Sequence, residues 1–475
     1  MSEVGVNQLL SWEGRDMVLG VDEKINGVNL GNWLVLEKWM NPEPFQPSGA
    51  DDEIRMHRTH AAMDAAAHAP RKSSETMESS SLESVLRRHR DTYITLDDFR
   101  AIAAHGINLV RIPVPYFIFG DWPGHPGCVE YLDKAFAWAD ETGLRIMIDL
   151  HTVPGSQNGF DNGGLTGVCT WARNPDLVEY ALNVLERLAC RYRDEPALHS
   201  IEVLNEPVSW LVFHGASNIA KNNREASGSA HVSLRFLKRF YRAAYTRLRA
   251  ILRPETPIVF HDGFRLLRWG DWFRRAGMRN VMLDTHQYLI AMESPIFAVR
   301  MLRERYLGLR GNARRITDMG VTESAAGSAG VDAEAVAERL KAPWIYRLML
   351  GLASSAIRHA ARHVPVLVGE WCVENRWSLE ISQVVPSDLR MRRETVVRAA
   401  YRTIARLQRE SWNVSAGQIY WSYQLSRSLK PCSGEGEPPR DPRNGGNLDA
   451  WDLTRAWRHG WILPEEFHDD AQDVR

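Results

Sequence analysis

Residues 201–207 read IEVLNEP and residues 364–371 read VPVLVGEW. Each is a short apolar run rich in β-branched residues, as expected of a strand buried on both faces, and each delivers a glutamate at or near its end. Glu206 sits between Asn205 and Pro207, and Glu370 between Gly369 and Trp371. A carboxylate behind a buried strand is costly to place, so this pair organises the rest of the reading. Six more runs of the same kind lie at 25–30, 108–114, 145–151, 257–262, 281–288 and 418–423. Amphipathic stretches separate them, as in LVEYALNVLERLACRY at 177–192, where apolar residues return every three or four positions. Eight strand–helix units predict an α/β protein of the TIM (β/α)8 barrel type, with the helices as an outer ring.

The 475 residues exceed an ordinary domain, but barrels of this kind tolerate long insertions. A single domain over 1–475 is expected, with helical insertions near the barrel mouth at about 44–81 and 293–362. The second contains the helix-like segments RMLRERYLGL and APWIYRLMLGLASSAIRHAA. Lys and Arg total 58 against 59 Asp and Glu, a balance that points away from nucleic acid and membrane surfaces and suits a neutral substrate. No run of 18 apolar residues and no basic leader followed by an apolar stretch is present in the sequence, so a soluble chain is expected. The five cysteines are odd in number, scattered and without CxxC spacing, which fits free thiols in a cytoplasmic protein. HRTH at 57–60 follows three acidic residues but lacks a recognised ligand spacing, so no metal is expected there.

The polar residues that break the strand ends share one location. Barrel enzymes assemble their sites where strands end at the carboxyl face, and there the sequence puts Arg111, His151, Asn205, Glu206, His286, Tyr288, Glu370 and Trp421. Two carboxylates can cleave a glycosidic bond if one donates a proton to the leaving oxygen and the other attacks the anomeric carbon. Glu206 is assigned as the general acid/base and Glu370 as the nucleophile. Asn205 is expected to orient Glu206 and to bind a sugar hydroxyl. Tyr288 and Arg111 are expected to hold Glu370 ionised. The histidines would bind hydroxyls or relay protons, and Trp421 would lie under the sugar ring. Retention of configuration requires the two carboxyl groups roughly 5 Å apart.

With these residues in place the chain resembles glycoside hydrolase family 5, and within it the exo-β-1,3-glucanase branch. The likeness is carried by INGVNLGNWLVLEKWMNP from Ile25, HRDTYITLDDFRAIAAHGINLVRIPVPYFIFGD from His89, IDLHTVPGSQNGFDNGG from Ile148, IEVLNEP, HQYL, VGEW and YWSYQL. It implies a (β/α)8 barrel, retaining hydrolysis and no metal or organic cofactor. It also implies that Glu37 and Asn162 hold the terminal sugar and that Phe160 is one of two aromatic residues clamping the leaving-group side. The second clamp position falls near Ala291. The expected activity is that of an exo-acting β-glucosidase or exo-β-1,3-glucanase on short β-gluco-oligosaccharides or β-glucosides. The alternatives are a β-mannosidase of the same family and a non-catalytic carbohydrate-binding barrel. Oligomeric state is not legible in the sequence.

Overall fold

A computed structural model describes residues 24–67, 81–215, 224–293, 342–384, 390–429, 440–443 and 445–463. Eight strands run in chain order: β1 Ile25–Asn29, β2 Leu109–Val114, β3 Arg145–Leu150, β4 Leu198–Glu202, β5 Ile258–His261, β6 Val281–His286, β7 Val366–Trp371 and β8 Gly417–Tyr420. They pair in parallel and close, β8 joining β1 through the register Ile25 to Gly417 and Val28 to Tyr420. The predicted barrel is present. One boundary differs: β4 ends at Glu202, not Glu206, and Glu206 follows in a left-handed turn with φ 44.

The outer face of the strands packs on the helices. Val110, Ile148, Ile201, Phe260 and Val368 meet Leu132 and Phe136 of helix Val129–Thr142, Leu185 and Leu188 of Pro175–Tyr192, and Leu237 and Tyr241 of Leu234–Arg249 in one continuous core. Local sequence fixes the helix ends. Asn174 caps Pro175–Tyr192 through Asp176 N, with proline in the first turn, and Ser233 caps Leu234–Arg249 through Phe236 N. Gly143 ends Val129–Thr142 in the left-handed conformation.

The inner face decides where the site can be. Ile25, Leu109, Met147, Val259, Met282, Leu367 and Ile419, one from each of seven strands, form a separate apolar plug inside the barrel. Two residues further along, strand periodicity returns the chain to the interior. There it presents Arg111, Asp149, Glu202, His261, Asp284, Gly369 and Trp421, joined by Asn29 from β1. The charged side chains of this layer are completely buried. An apolar floor under an ionic layer leaves the barrel open for chemistry only at its carboxyl end.

One strand departs from simple alternation. Thr285 pairs with Val368 but His286 pairs with Glu370, so Gly369 is an extra residue in β7. This bulge turns Glu370 inward, where an unbroken count from Leu367 would turn it out. A Cβ at Gly369 would fall 2.1 Å from an Asp284 carboxylate oxygen, so only glycine fits.

Of the first insertion, helix Glu53–Ala67 is described. Of the second, helix Trp344–Ala361 is described, whereas RMLRERYLGL lies outside the described residues, as does Cys432. The other four cysteines are free thiols. Among the described residues, no helix is long and apolar enough to cross a membrane.

Candidate active site

Arg111 lies at the centre of the ionic layer. Its Nε donates to Glu202 Oε2 at 2.8 Å, Nη1 to Asn29 Oδ1 and Glu370 Oε1 at 2.9 Å each, and Nη2 to Asn205 Oδ1 at 3.0 Å. Asp149 Oδ2 also lies 3.0 Å from Nη2. A buried guanidinium is stable only with such partners, and here five of them come from four strands or strand ends, β1, β3, β4 and β7. The expected contact between Arg111 and Glu370 is present.

Glu370 has a second donor: Tyr288 Oη gives a hydrogen bond to Oε2 at 2.6 Å. The carboxyl of Glu206 is gripped by His286 Nδ1 on Oε1 and by Asn162 Nδ2 on Oε2, both at 2.7 Å. His286 Nδ1 lies 3.2 Å from Glu370 Oε2 as well, and its Nε2 lies 3.3 Å from Asp284 Oδ2. One nitrogen within reach of both carboxylates puts their facing oxygens at most about 6 Å apart, compatible with the retaining spacing and short of the 6.5–9.5 Å of inverting sites.

Asn205 does not touch the Glu206 carboxyl group, contrary to expectation. Its oxygen is taken by Arg111 and its nitrogen meets His151 Nε2 at 3.3 Å. Asn162 from the β3 loop orients Glu206 instead. His151 Nδ1 bonds Asp149 Oδ2 at 2.5 Å, and its ring lies parallel to Trp421, centroids 5.6 Å apart. Trp421 is seated where Gly31 has no side chain; a Cβ there would meet the indole at 2.9 Å. Glu37 Oε2 accepts from Trp39 Nε1 at 2.8 Å, while Oε1 is buried with no protein partner and stays available to a hydroxyl. Phe160 is half-buried against Cys169, Val208 and Phe213, and position 291 is an alanine.

Electrostatics reverse the order the sequence suggested. Burial alone would raise Glu206, but the bond and charge of His286, with help from His261 and Asn162, bring it down to about 2. Glu370 is raised: burial pushes it up, and His286 and Arg111 only partly compensate. His286 itself is held well above the usual histidine range, because Glu370 and Asp284 outweigh the cost of burying its charge. These directions favour His286, between the two glutamates, as the holder of the exchangeable proton.

Sequence reading missed Glu202, Asp284 and His261, although each lies on the inward-facing period of its strand. It also missed Arg443, whose guanidinium lies 3.4 Å over the Trp39 ring and bonds Asp441 through Nε and Nη2 at 2.7 to 3.2 Å. No periodic signal marks Arg443, which comes from a turn-rich stretch after β8.

Two groups bring ligand-type atoms within 4.8 Å of one another: Glu206, His261 and His286, and Glu202, Asp284 and His286. His286 faces a carboxylate oxygen with each ring nitrogen, so both carry hydrogen and neither has a lone pair for a cation. His261 accepts from Gly263 N through Nδ1 at 2.9 Å, which puts its own hydrogen on Nε2. These donors suit proton sharing and not metal coordination.

Residues 72–232 match the sequence profile of cellulase, glycosyl hydrolase family 5. A probable glucan 1,3-beta-glucosidase A of Emericella nidulans is 37% identical over 272 residues, 56% of this chain and 57% of that protein. A glucan 1,3-beta-glucosidase of Blumeria graminis is 34% identical to this chain over 282 residues, 58% of each. The chain thus spans little more than half the length of these relatives. The rutinosidase of Aspergillus niger shares this chain's fold at a TM-score of 0.56 and 19% identity, over 92% of this chain and 97% of that one.

Proposed function

We propose that the protein is a retaining, exo-acting β-glucosidase or exo-β-1,3-glucanase that cleaves short β-gluco-oligosaccharides or β-glucosides in the cytoplasm. The observation that carries the reading is the bridge from His286 Nδ1 to Glu206 and Glu370, which keeps the two carboxyl groups at retaining distance. The fungal relatives named as glucan 1,3-beta-glucosidases support the glucose-based substrate class. The four free thiols fit a reducing compartment.

In this mechanism Glu370 attacks the anomeric carbon as the bond to the leaving oxygen breaks. Forming the ester removes the charge on Glu370, which is the largest attraction holding the proton on His286. The proton then passes 2.7 Å to Glu206 and on to the leaving oxygen. In the second step Glu206 takes a proton from water, the oxygen attacks the anomeric carbon, and Glu370 leaves as the carboxylate. Its returning charge draws the proton back to His286. Glu37 and Asn162 would hold hydroxyls of the terminal sugar, and Trp421 its apolar face.

The test is trapping with 2-deoxy-2-fluoro β-glucosyl and β-mannosyl donors followed by peptide mass spectrometry. Label on Glu370, faster from the glucosyl donor, is the expected result. Faster labelling by the mannosyl donor would transfer the assignment to a β-mannosidase, and label on another residue would remove the mechanism.

A further inference from the structure

His261 ends β5 and is completely buried, and the mechanism above routes no proton through it. Its ring stands edge-on to His286, centroids 4.4 Å apart at 78°. One of its ring nitrogens lies within 4.8 Å of both a Glu206 carboxylate oxygen and a His286 nitrogen. Nδ1 is committed to the backbone N–H of Gly263 at 2.9 Å, so Nε2 bears the hydrogen of the neutral ring. Nε2 has no other protein partner, and a buried donor left in that state is expensive unless its field does something useful. The ring is neutral because burial, seconded by the charge on His286, pushes its pKa down to about 3.

The turn that fixes this tautomer is itself costly. Gly263 and Phe264 both adopt left-handed backbone, φ 62 and 58, a conformation that is strained for a phenylalanine. Three side-chain bonds brace it: Tyr241 Oη to His261 O at 2.7 Å, Phe264 N to Asp262 Oδ1 at 2.5 Å, and Thr285 Oγ1 to Asp262 Oδ2 at 2.9 Å. The result is to bring the Gly263 N–H onto Nδ1 and leave the ring hydrogen on Nε2, without a hydrogen-bond partner.

We infer that His261 is a positioning residue for proton transfer: its neutral ring, held in one tautomer within 4.8 Å of Glu206 and His286, is a fixed dipole that favours the Glu206 carboxylate and keeps the exchangeable proton on His286 until the sugar bond begins to break. This rests on Glu206 being the acid/base. The proton on the Glu206–His286 pair is also faced by Glu370 from β7, Asp284 from β6, Glu202 from β4, Arg111 from β2 and Asn162 from the β3 loop. Removing a favourable dipole from beside a carboxylate raises the pKa of the proton that the carboxylate shares. In kcat/KM, which reports the free enzyme, the upper pH limb belongs to that proton and the lower limb to Glu370.

The experiment compares His261→Asn with His261→Gln on an aryl β-glucoside across pH, with thermal unfolding as a control. Asparagine replaces Nδ1 and leaves the Nε2 position empty; glutamine supplies an amide N–H where Nε2–H stood. The expected result is an upper limb displaced upward by about half to one pH unit in His261→Asn, near the wild-type position in His261→Gln, with the lower limb fixed in both. An even loss of activity across pH with both limbs unmoved, or the same displacement in both variants, overturns the inference. Glu206→Ala with added azide separates this from failure of the underlying reading. Formation of β-glucosyl azide upholds Glu206 as the acid/base whatever His261 does, and its absence removes the basis for both.

Discussion

Tyr288→Phe isolates one bond in the site. The substitution removes a hydroxyl 2.6 Å from Glu370 Oε2 and keeps the ring that packs against Trp451, centroids 5.1 Å apart, so the fold has no reason to change. A hydrogen bond to a charged group contributes about 1.5–3 kcal/mol net, and one pKa unit is about 1.4 kcal/mol. Arg111 and His286 remain on the same carboxylate, so the lower figure applies, near one unit. Glu370 is the higher of the two carboxylates, hence the last to lose its proton as pH rises, and its ionisation sets the lower limb of kcat/KM. Losing the donor destabilises the carboxylate, so this limb moves up by about one pH unit. Well below the wild-type limb, kcat/KM falls about tenfold, with a smaller loss on the plateau. A pH series on an aryl β-glucoside measures this. A limb that stays in place or moves down would refute the claim that Tyr288 holds Glu370 ionised.

Glu206→Ala should slow turnover of poor leaving groups by about 10²–10⁴-fold while leaving the first step on 2,4-dinitrophenyl β-glucoside nearly intact, seen as a burst of dinitrophenol; a mutant without the burst contradicts the assignment. Gly31→Ala puts a methyl 2.9 Å from the Trp421 indole and 2.9 Å from Ser422 Oγ, so a loss of about 1–3 kcal/mol in denaturant unfolding and a raised KM are expected together. An unchanged KM would separate Trp421 from the sugar. Glu53, outside the site, is pushed up to about 8 by burial. The folded state therefore binds the extra proton between about 4.5 and 8, and stability falls as pH rises through that window. Glu53→Gln should flatten this slope in melts taken across the window, and a slope that persists would place its origin elsewhere.

The barrel was legible because a parallel strand buried on both faces reads as an apolar run, and eight such runs alternated with amphipathic helices. Glu206 and Glu370 stood out as charges at the ends of those runs, and Asn162 and Glu37 came from the resemblance alone. Less visible was everything that depends on exact backbone path. The left-handed turn at Glu206 follows a strand that stops four residues earlier, and the bulge at Gly369 breaks the alternation by which inward and outward residues are told apart. The order of the two acidities was missed for a related reason. Proximity in space, not in sequence, brings His286 from β6 between glutamates carried by the turn after β4 and by β7. The partner that orients Glu206 likewise lies 44 positions away, so its neighbour Asn205 was the misleading choice.

The Gly369 bulge leaves a main-chain trace in this circuit. The amide N–H of Gly369 donates to Asp284 Oδ1 at 2.7 Å, and Asp284 Oδ2 meets His286. Its carbonyl accepts from Asn29 Nδ2 at 2.9 Å. Two functional contacts are thus made by a residue without a side chain, and no saturation mutagenesis can remove them one at a time. Every replacement at position 369 would collide with Asp284 first, so a mutational map would record intolerance and attribute it to space. Only an edit to the backbone itself, such as an amide-to-ester exchange at this position, would reveal how much of the site's acidity is written in the main chain.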